Sequence, residues 1–194
     1  MPDYTPSDVD TLLAKMAEER AALLAAAEGL SPADANRVPI DAQGEAQWTA
    51  KEQLAHLWEM ERGYVAICRA ALRQSGATAS LEPAAVPIPL EAAPRHTVAE
   101  FIAGLKQERE RTVAFIRGLT LGQFARTART DAFGELTVMQ WLRSYYRHDR
   151  QHAAQIQGRR SDYVPHFAAG TEPNQRRLRL ERAARRGAAS SPPP

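Results

Sequence analysis

His148 and His152 stand one helical turn apart in a run, Thr137 to Gln157, whose apolar residues recur at helical spacing. At about 100° per residue, Val138, Trp141, Leu142, Tyr145, His152 and Ile156 share one stripe, with His148 at its edge. Imidazoles on a buried face need polar partners, and a pair at i and i+4 needs them on the same side. A metal ion meets that need, because the neutral ring nitrogen is a good ligand for zinc, nickel, iron or copper.

A catalytic metal takes three protein ligands and leaves a position open, whereas a structural one takes four. Three histidines remain for the third place. His96 directly precedes a helix cap beside Pro94, and His166 follows Pro165 beyond the last helix. His56 lies inside a helix, on a narrow stripe with Met60, Gly63 and Ile67, beside a main stripe of Leu54, Leu57, Trp58, Val65, Cys68 and Leu72. The run from His148 to His152 also has the spacing of a His-Glu-x-x-His peptidase motif. That motif needs a glutamate base, and Asp149, which stands next to His148, is one methylene shorter.

Composition bounds what can hold these residues. The 194 residues suffice for one domain with a true core, 44% of them are hydrophobic, and β-branched types are thin, which favours helix. No run approaches the roughly 20 apolar residues of a membrane span, and the first residues lack the basic and apolar regions of a signal peptide. A single cysteine, Cys68, allows no internal disulfide. The expectation is a cytoplasmic protein. The segment 171–194 nets +4 from six arginines against Glu172 and Glu181, leaving −2 for the rest of a chain whose total is +2. With no aromatic residue to stack on bases, it reads as a solvated, disordered tail rather than a nucleic-acid binder. The expected organisation is a bundle domain over 1–168 and a basic tail over 169–194.

Four long helices emerge, each opened by a cap. The first spans about Ser7 to Glu28, with Ser7 and Asp10 as its capping box and Leu12, Met16, Leu23 and Leu24 on its apolar face. The second runs from Thr49, with Glu52 three residues on, to about Gln74. The third runs from Thr97, with Glu100, to about Arg117, and the fourth from Thr137, with Gln140, to Gln157, where Gly158 stops it. The connections are long, and the proline-rich crossover from Ser75 to His96 has reach enough for the second and third helices to run parallel. The link from Leu119 to Leu136 reads as a helical turn at Thr120–Phe124 and then an extended piece.

Axial distance favours His56 as the third ligand. It lies about 10 Å past its cap, while His148 and His152 lie about 14 and 8 Å from the end of theirs. Antiparallel packing of the second and fourth helices brings the three rings to one level. Parallel packing leaves them roughly 6–12 Å apart, too far for one ion.

These residues resemble the DinB / YfiT-like superfamily. The likeness rests on Trp48 to Leu57 with His56 inside it, Gly134 to Leu142 some ninety residues later, and His148 to His152. It covers about residues 7–160 and implies an all-α, up-down-down-up four-helix bundle that holds a divalent metal on His56, His148 and His152. It further implies small-molecule chemistry. Characterised members include S-transferases and an isomerase that use bacillithiol, mycothiol or glutathione, whereas many members have no established activity and the founding group is named for DNA-damage induction. The expected function is accordingly a metal-dependent transferase in which a thiolate, formed from a low-molecular-weight thiol at zinc or nickel, attacks an electrophilic carbon. Alternatives are a metal-dependent hydrolase and a non-catalytic, damage-inducible metal-binding bundle, which a fourth protein ligand would favour. A homodimer through exposed bundle faces is left open. Asp149, Glu59 and Arg147 are weak catalytic candidates: Asp149 shares the stripe of His152, Glu59 is one turn from His56, and Arg147 flanks the site as a carboxylate clamp. Cys68 reads as an inert packed residue.

Overall fold

The computed structural model describes residues 3–38, 44–80 and 84–170. Four long helices carry the fold: α1 (Pro6–Glu28), α3 (Ala50–Arg73), α4 (Val98–Arg117) and α5 (Val138–Ile156), with a short α2 (Pro32–Asn36) after the first. Short 3-10 helices occupy Gly44–Gln47, Leu90–Arg95 and Leu121–Ala125. The basic tail expected over 169–194 lies, from residue 171 on, outside the described residues.

The caps place three helices where the sequence puts them. Thr49, Thr97 and Thr137 each accept the N–H three residues on, and the side chains of Glu52, Glu100 and Gln140 return the bond. At α1 the cap is Thr5 with Asp8, not Ser7 with Asp10, and Pro6 fills the first helical position, where its missing N–H costs nothing.

Side-chain contacts fix the helix directions. Asp8 pairs with Arg143 and Arg20 with Asp149, so α1 and α5 run parallel. Trp58 meets Glu108, and Arg69 covers Phe115, so α3 and α4 run parallel. His56 faces His148 while Tyr64 faces Trp141, so α3 and α5 are antiparallel. The order is up-down-down-up, with the crossover between α3 and α4. Gly104 makes the α3–α4 approach possible, since a Cβ there would stand 2.2 Å from the Trp58 ring.

The expectation of a purely helical chain needs one correction. Ala77–Thr78 (β1), Thr127–Thr130 (β2) and Gly134–Thr137 (β3) form a small sheet in the order β1-β2-β3, parallel between β1 and β2 and antiparallel between β2 and β3. Its strands have only two to four residues, too short for side-chain periodicity to reveal them. The sheet ties the start of the crossover to the hairpin that feeds α5.

The core falls into two apolar groups. Leu12, Met16, Ile67, Phe124 and Trp141 belong to one, and Leu23, Leu54, Leu57, Phe101 and Leu105 to the other. Between them lies a buried ionic cluster. Asp149 takes Arg20 Nε at 3.0 Å and Arg109 Nη2 at 2.8 Å, while Glu61 takes Arg20 Nη2 at 2.9 Å and Arg109 Nε at 2.8 Å. Tyr145 Oη lies 2.6 Å from Arg20 Nη2 and 3.1 Å from Glu61. Each of the four long helices contributes to this cluster, and its formal charges cancel.

Candidate metal centre

His56 enters the site from the second turn of α3. On that helix the stripe read as narrower is the fully buried one: His56, Met60, Gly63 and Ile67 are all buried, whereas Val65 of the supposed main stripe is only partly so. Two packed sides explain the difference, because α3 lies against both α4 and α5. His148 and His152 come from the last turns of α5, on the face toward α3.

The three Nε2 atoms converge on one carboxylate that the sequence analysis does not identify. Glu45, in the 3-10 turn before α3, has Oε1 3.0 Å from His56 Nε2, and its Oε2 lies 3.1 Å from His148 Nε2 and 3.3 Å from His152 Nε2. The two α5 imidazoles are 3.0 Å apart at Nε2. One ligand atom from each of Glu45, His56, His148 and His152 lies within 4.8 Å of all the others, and all four residues are buried. Glu45 sits in a connecting turn, where no periodicity marks a residue as inward. Its only signal in the sequence is an acid three residues before the buried Trp48.

The surrounding shell orients the rings. Gln53 Oε1 lies 3.1 Å from His152 Nδ1, and its amide nitrogen donates to Trp48 O at 3.2 Å. That bond makes Nδ1 the protonated nitrogen of His152 and leaves Nε2 as a lone pair aimed at the cluster. Trp48 packs edge-on against His56, with ring centroids 4.8 Å apart. Burial pushes His56 down to about 4, with the Glu45 carboxylate pulling the other way. Burial and the neighbouring His148 also lower His152. Burial alone would raise Glu45, but the surrounding imidazoles, His56 first, hold it well below the usual carboxylate range.

These residues fit a divalent cation. Both ring nitrogens of His56 and Nδ1 of His148 are buried without a hydrogen-bond partner among the described residues, and the 3.0 Å approach of His56 Nε2 to Glu45 lacks hydrogen-bond direction. The close pair of Nε2 atoms on α5 needs at least one lone pair facing the other ring. A single cation would take all four donors at once, and three nitrogens with one oxygen suit zinc or nickel.

The other histidines stay outside. His96 bonds Glu100 at 3.0 Å on the surface, and His166 is exposed. Both carboxylate oxygens of Asp149 are taken by Arg20 and Arg109 in the ionic cluster. Glu59 is buried and accepts the Leu90 N–H at 3.0 Å, holding the crossover to α3. Arg147 is exposed and lies 5.9 Å from the ring centroids of Tyr146 and Tyr163. Cys68 is buried, and burial pushes its thiol up to about 12.

Comparison with known proteins agrees with this architecture. Residues 15–156 match the DinB superfamily, and the chain belongs to it. Its fold is similar to that of YfiT from Bacillus subtilis, described as a probable metal-dependent hydrolase with an unusual four-helix bundle topology. The TM-score is 0.63 at 20% identity, over 81% of this chain and 89% of that one. It is also similar to a mycothiol-dependent maleylpyruvate isomerase, with a TM-score of 0.61 at 12% identity, over 76% of this chain and 60% of the other. No curated protein matches the sequence significantly. Among the described residues, no helix is long and apolar enough to cross a membrane.

Proposed function

We propose that this DinB-superfamily chain is a divalent-metal-dependent enzyme acting on a small molecule, with His56, His148 and His152 as fixed ligands and Glu45 as a displaceable fourth. The observation that carries this reading is the convergence of three buried imidazole nitrogens and one carboxylate within 4.8 Å. A bound divalent ion, zinc or nickel foremost, supplies a Lewis acid that makes a thiol or water beside it acidic at neutral pH. Burial keeps His56 and His152 neutral, and Gln53 orients His152. Glu45, on a short turn rather than a long helix, is the donor that can leave the cluster at least cost to the fold.

Transfer with a low-molecular-weight thiol is the first reading. Cys68 is buried and its thiol is pushed up to about 12, so the chain supplies no thiolate and the nucleophile comes from solution. Glu45 accepts the S–H proton; the sulfur lone pair bonds to an electrophilic carbon, and the leaving group departs with its electron pair. The mycothiol-dependent isomerase with a similar fold supports a thiol cosubstrate. Hydrolysis is the second reading, favoured by Glu45 as a base next to the three imidazoles and by the description of YfiT. Metal binding without turnover is the third, because four protein donors can close a structural shell.

Metal analysis of the protein as isolated, beside His56→Ala, tests the centre. The native chain should carry about one equivalent of zinc or nickel and the variant almost none. A metal-free native protein that takes up neither ion rejects the proposal. With metal bound, bacillithiol, mycothiol and glutathione are offered with a model electrophile. Turnover that Glu45→Gln abolishes, while the metal is retained, supports transfer; raised thermal stability without turnover of thiol or ester substrates supports the non-catalytic reading.

A further inference from the structure

A narrow slot leads from the surface to the cluster, and the chain that closes it is the segment after α5. Glu45 and His148 form its floor, and its walls include Met60, Tyr64, Phe133, Tyr163, Pro165 and Phe167. About 20 Å³ of free space remains, room for a single water. A second, larger recess of about 520 Å³, lined by Trp48, Gln53 and Gln155 among others, touches none of the four cluster residues. The slot therefore reaches the site, and an organic molecule can enter it only by displacing part of the wall.

The displaceable wall can be identified. From Ser161 to Phe167 burial alternates residue by residue: Ser161, Tyr163, Pro165 and Phe167 are half-buried, while Asp162, Val164 and His166 are exposed. The segment is an extended strap that lays alternate side chains over the slot. Its attachments lie along its outer edge and at its far end: Asp162 pairs with Arg150, both exposed, and Tyr163 hydrogen-bonds Ser144. Phe167 stacks on Phe133 with centroids 5.0 Å apart and planes 28° from parallel, Ala168 N–H donates to Ala132 O at 2.7 Å, and Tyr163 lies beside the Arg147 guanidinium. Beneath the stack, Phe133 meets Trp141 edge-on and Trp141 meets Tyr64 edge-on, at 5.8 and 5.6 Å. Phe133 is thus a ring fixed from below whose upper face is covered by a ring from an extended strap that belongs to no helix or strand.

We infer that Phe167 occupies the place of a planar aromatic substrate group, and that substrate reaches the cluster by lifting the strap and stacking on Phe133. This rests on the proposed reading of the cluster as the reacting centre, and it assigns the substrate class. The slot takes a flat, uncharged ring, since its walls carry no charged side chain and its floor carries the Glu45 carboxylate. A stacked ring gains from the offset arrangement that Phe133 already offers, which a saturated ring of equal size does not.

The test needs no bound metal, so the slot and the metal centre can fail separately. Benzyl alcohol and cyclohexylmethanol, alike in size and polar group, are titrated into the protein as isolated and followed by NMR. Benzyl alcohol should shift the resonances of Phe133, Tyr64 and residues 163–168, and bind several-fold tighter than cyclohexylmethanol although the latter is more apolar. Phe167→Ala, a change on a half-exposed strap, should tighten benzyl alcohol several-fold further by removing the competing ring. Equal or tighter binding of cyclohexylmethanol, weaker or unchanged benzyl alcohol binding in Phe167→Ala, or shifts confined to Trp48 and Gln155 in the larger recess would each overturn the inference.

Discussion

Burial at the cluster decides which protonation states are available. A buried imidazole is costly to charge, so His56, pushed down to about 4, is neutral and ligand-ready at pH 7. Gln53 then settles which nitrogen of His152 faces inward. Replacing Gln53 with Ala removes that restraint and should weaken metal affinity by about ten- to a hundredfold, leaving the fold intact. Competition against a chromophoric chelator measures it, and unchanged affinity would refute the orienting role. Cys68 offers a converse prediction. With its thiol pushed up to about 12 inside the core, it should resist alkylation in the native protein and react only after unfolding. Rapid labelling of the folded chain would contradict that placement.

Capping locks the helices that carry the ligands. Thr49 sits seven residues before His56, and Thr49→Ala should cost about 1 kcal/mol in chemical denaturation. The loss falls on the first turn of α3, so metal binding should survive it. At α4, the Thr97 N–H and then His96 hold Glu100 down at about 2. The folded value lies below the ordinary carboxylate value of 4.5, so the stability this cap contributes is complete above that pH and is lost as pH falls through about 2. An NMR titration of the Glu100 side chain should give a midpoint near there, and Thr97→Ala should raise it. Both caps are legible in the sequence because a capping box is local chemistry spanning four residues. The cap of α1 is ambiguous for the same local reason: Thr5 and Ser7 each have an aspartate three residues on, and only Pro6 at the first helical position separates them.

At the scale of the whole molecule, the four buried charges at the waist join what loops alone leave free. Arg20, Glu61, Arg109 and Asp149 come one from each long helix, and each arginine reaches both acids. Desolvation makes such a cluster a poor source of net stability, but losing one member strands a charge in the core. Asp149→Ala should therefore cost about 3–5 kcal/mol in denaturant unfolding. The double variant Arg20→Met with Asp149→Leu, which leaves the Arg109–Glu61 pair, should recover much of that loss. A single variant as stable as the wild type would show that water reaches the cluster. Arg20 lies one turn from both Met16 and Leu24 on the apolar face of α1, a position where a charge signals a buried partner.

The sequence by itself determined the four long helices and three of their caps, which follow from periodicity and from bonds between residues three or four apart. The antiparallel meeting of α3 and α5, which levels His56 with His148 and His152, is what the family resemblance implies and the packing of the helices decides. Tertiary structure decided what joins distant segments without a local signature. Glu45 reaches the imidazoles from a turn about a hundred residues before α5, the sheet pairs Ala77 with Ala128, and Phe167 covers Phe133 from beyond the last helix. Side chains in turns and extended strips carry no period to mark their inward face, so their partners are chosen only once the helices have packed and fixed where each loop must pass.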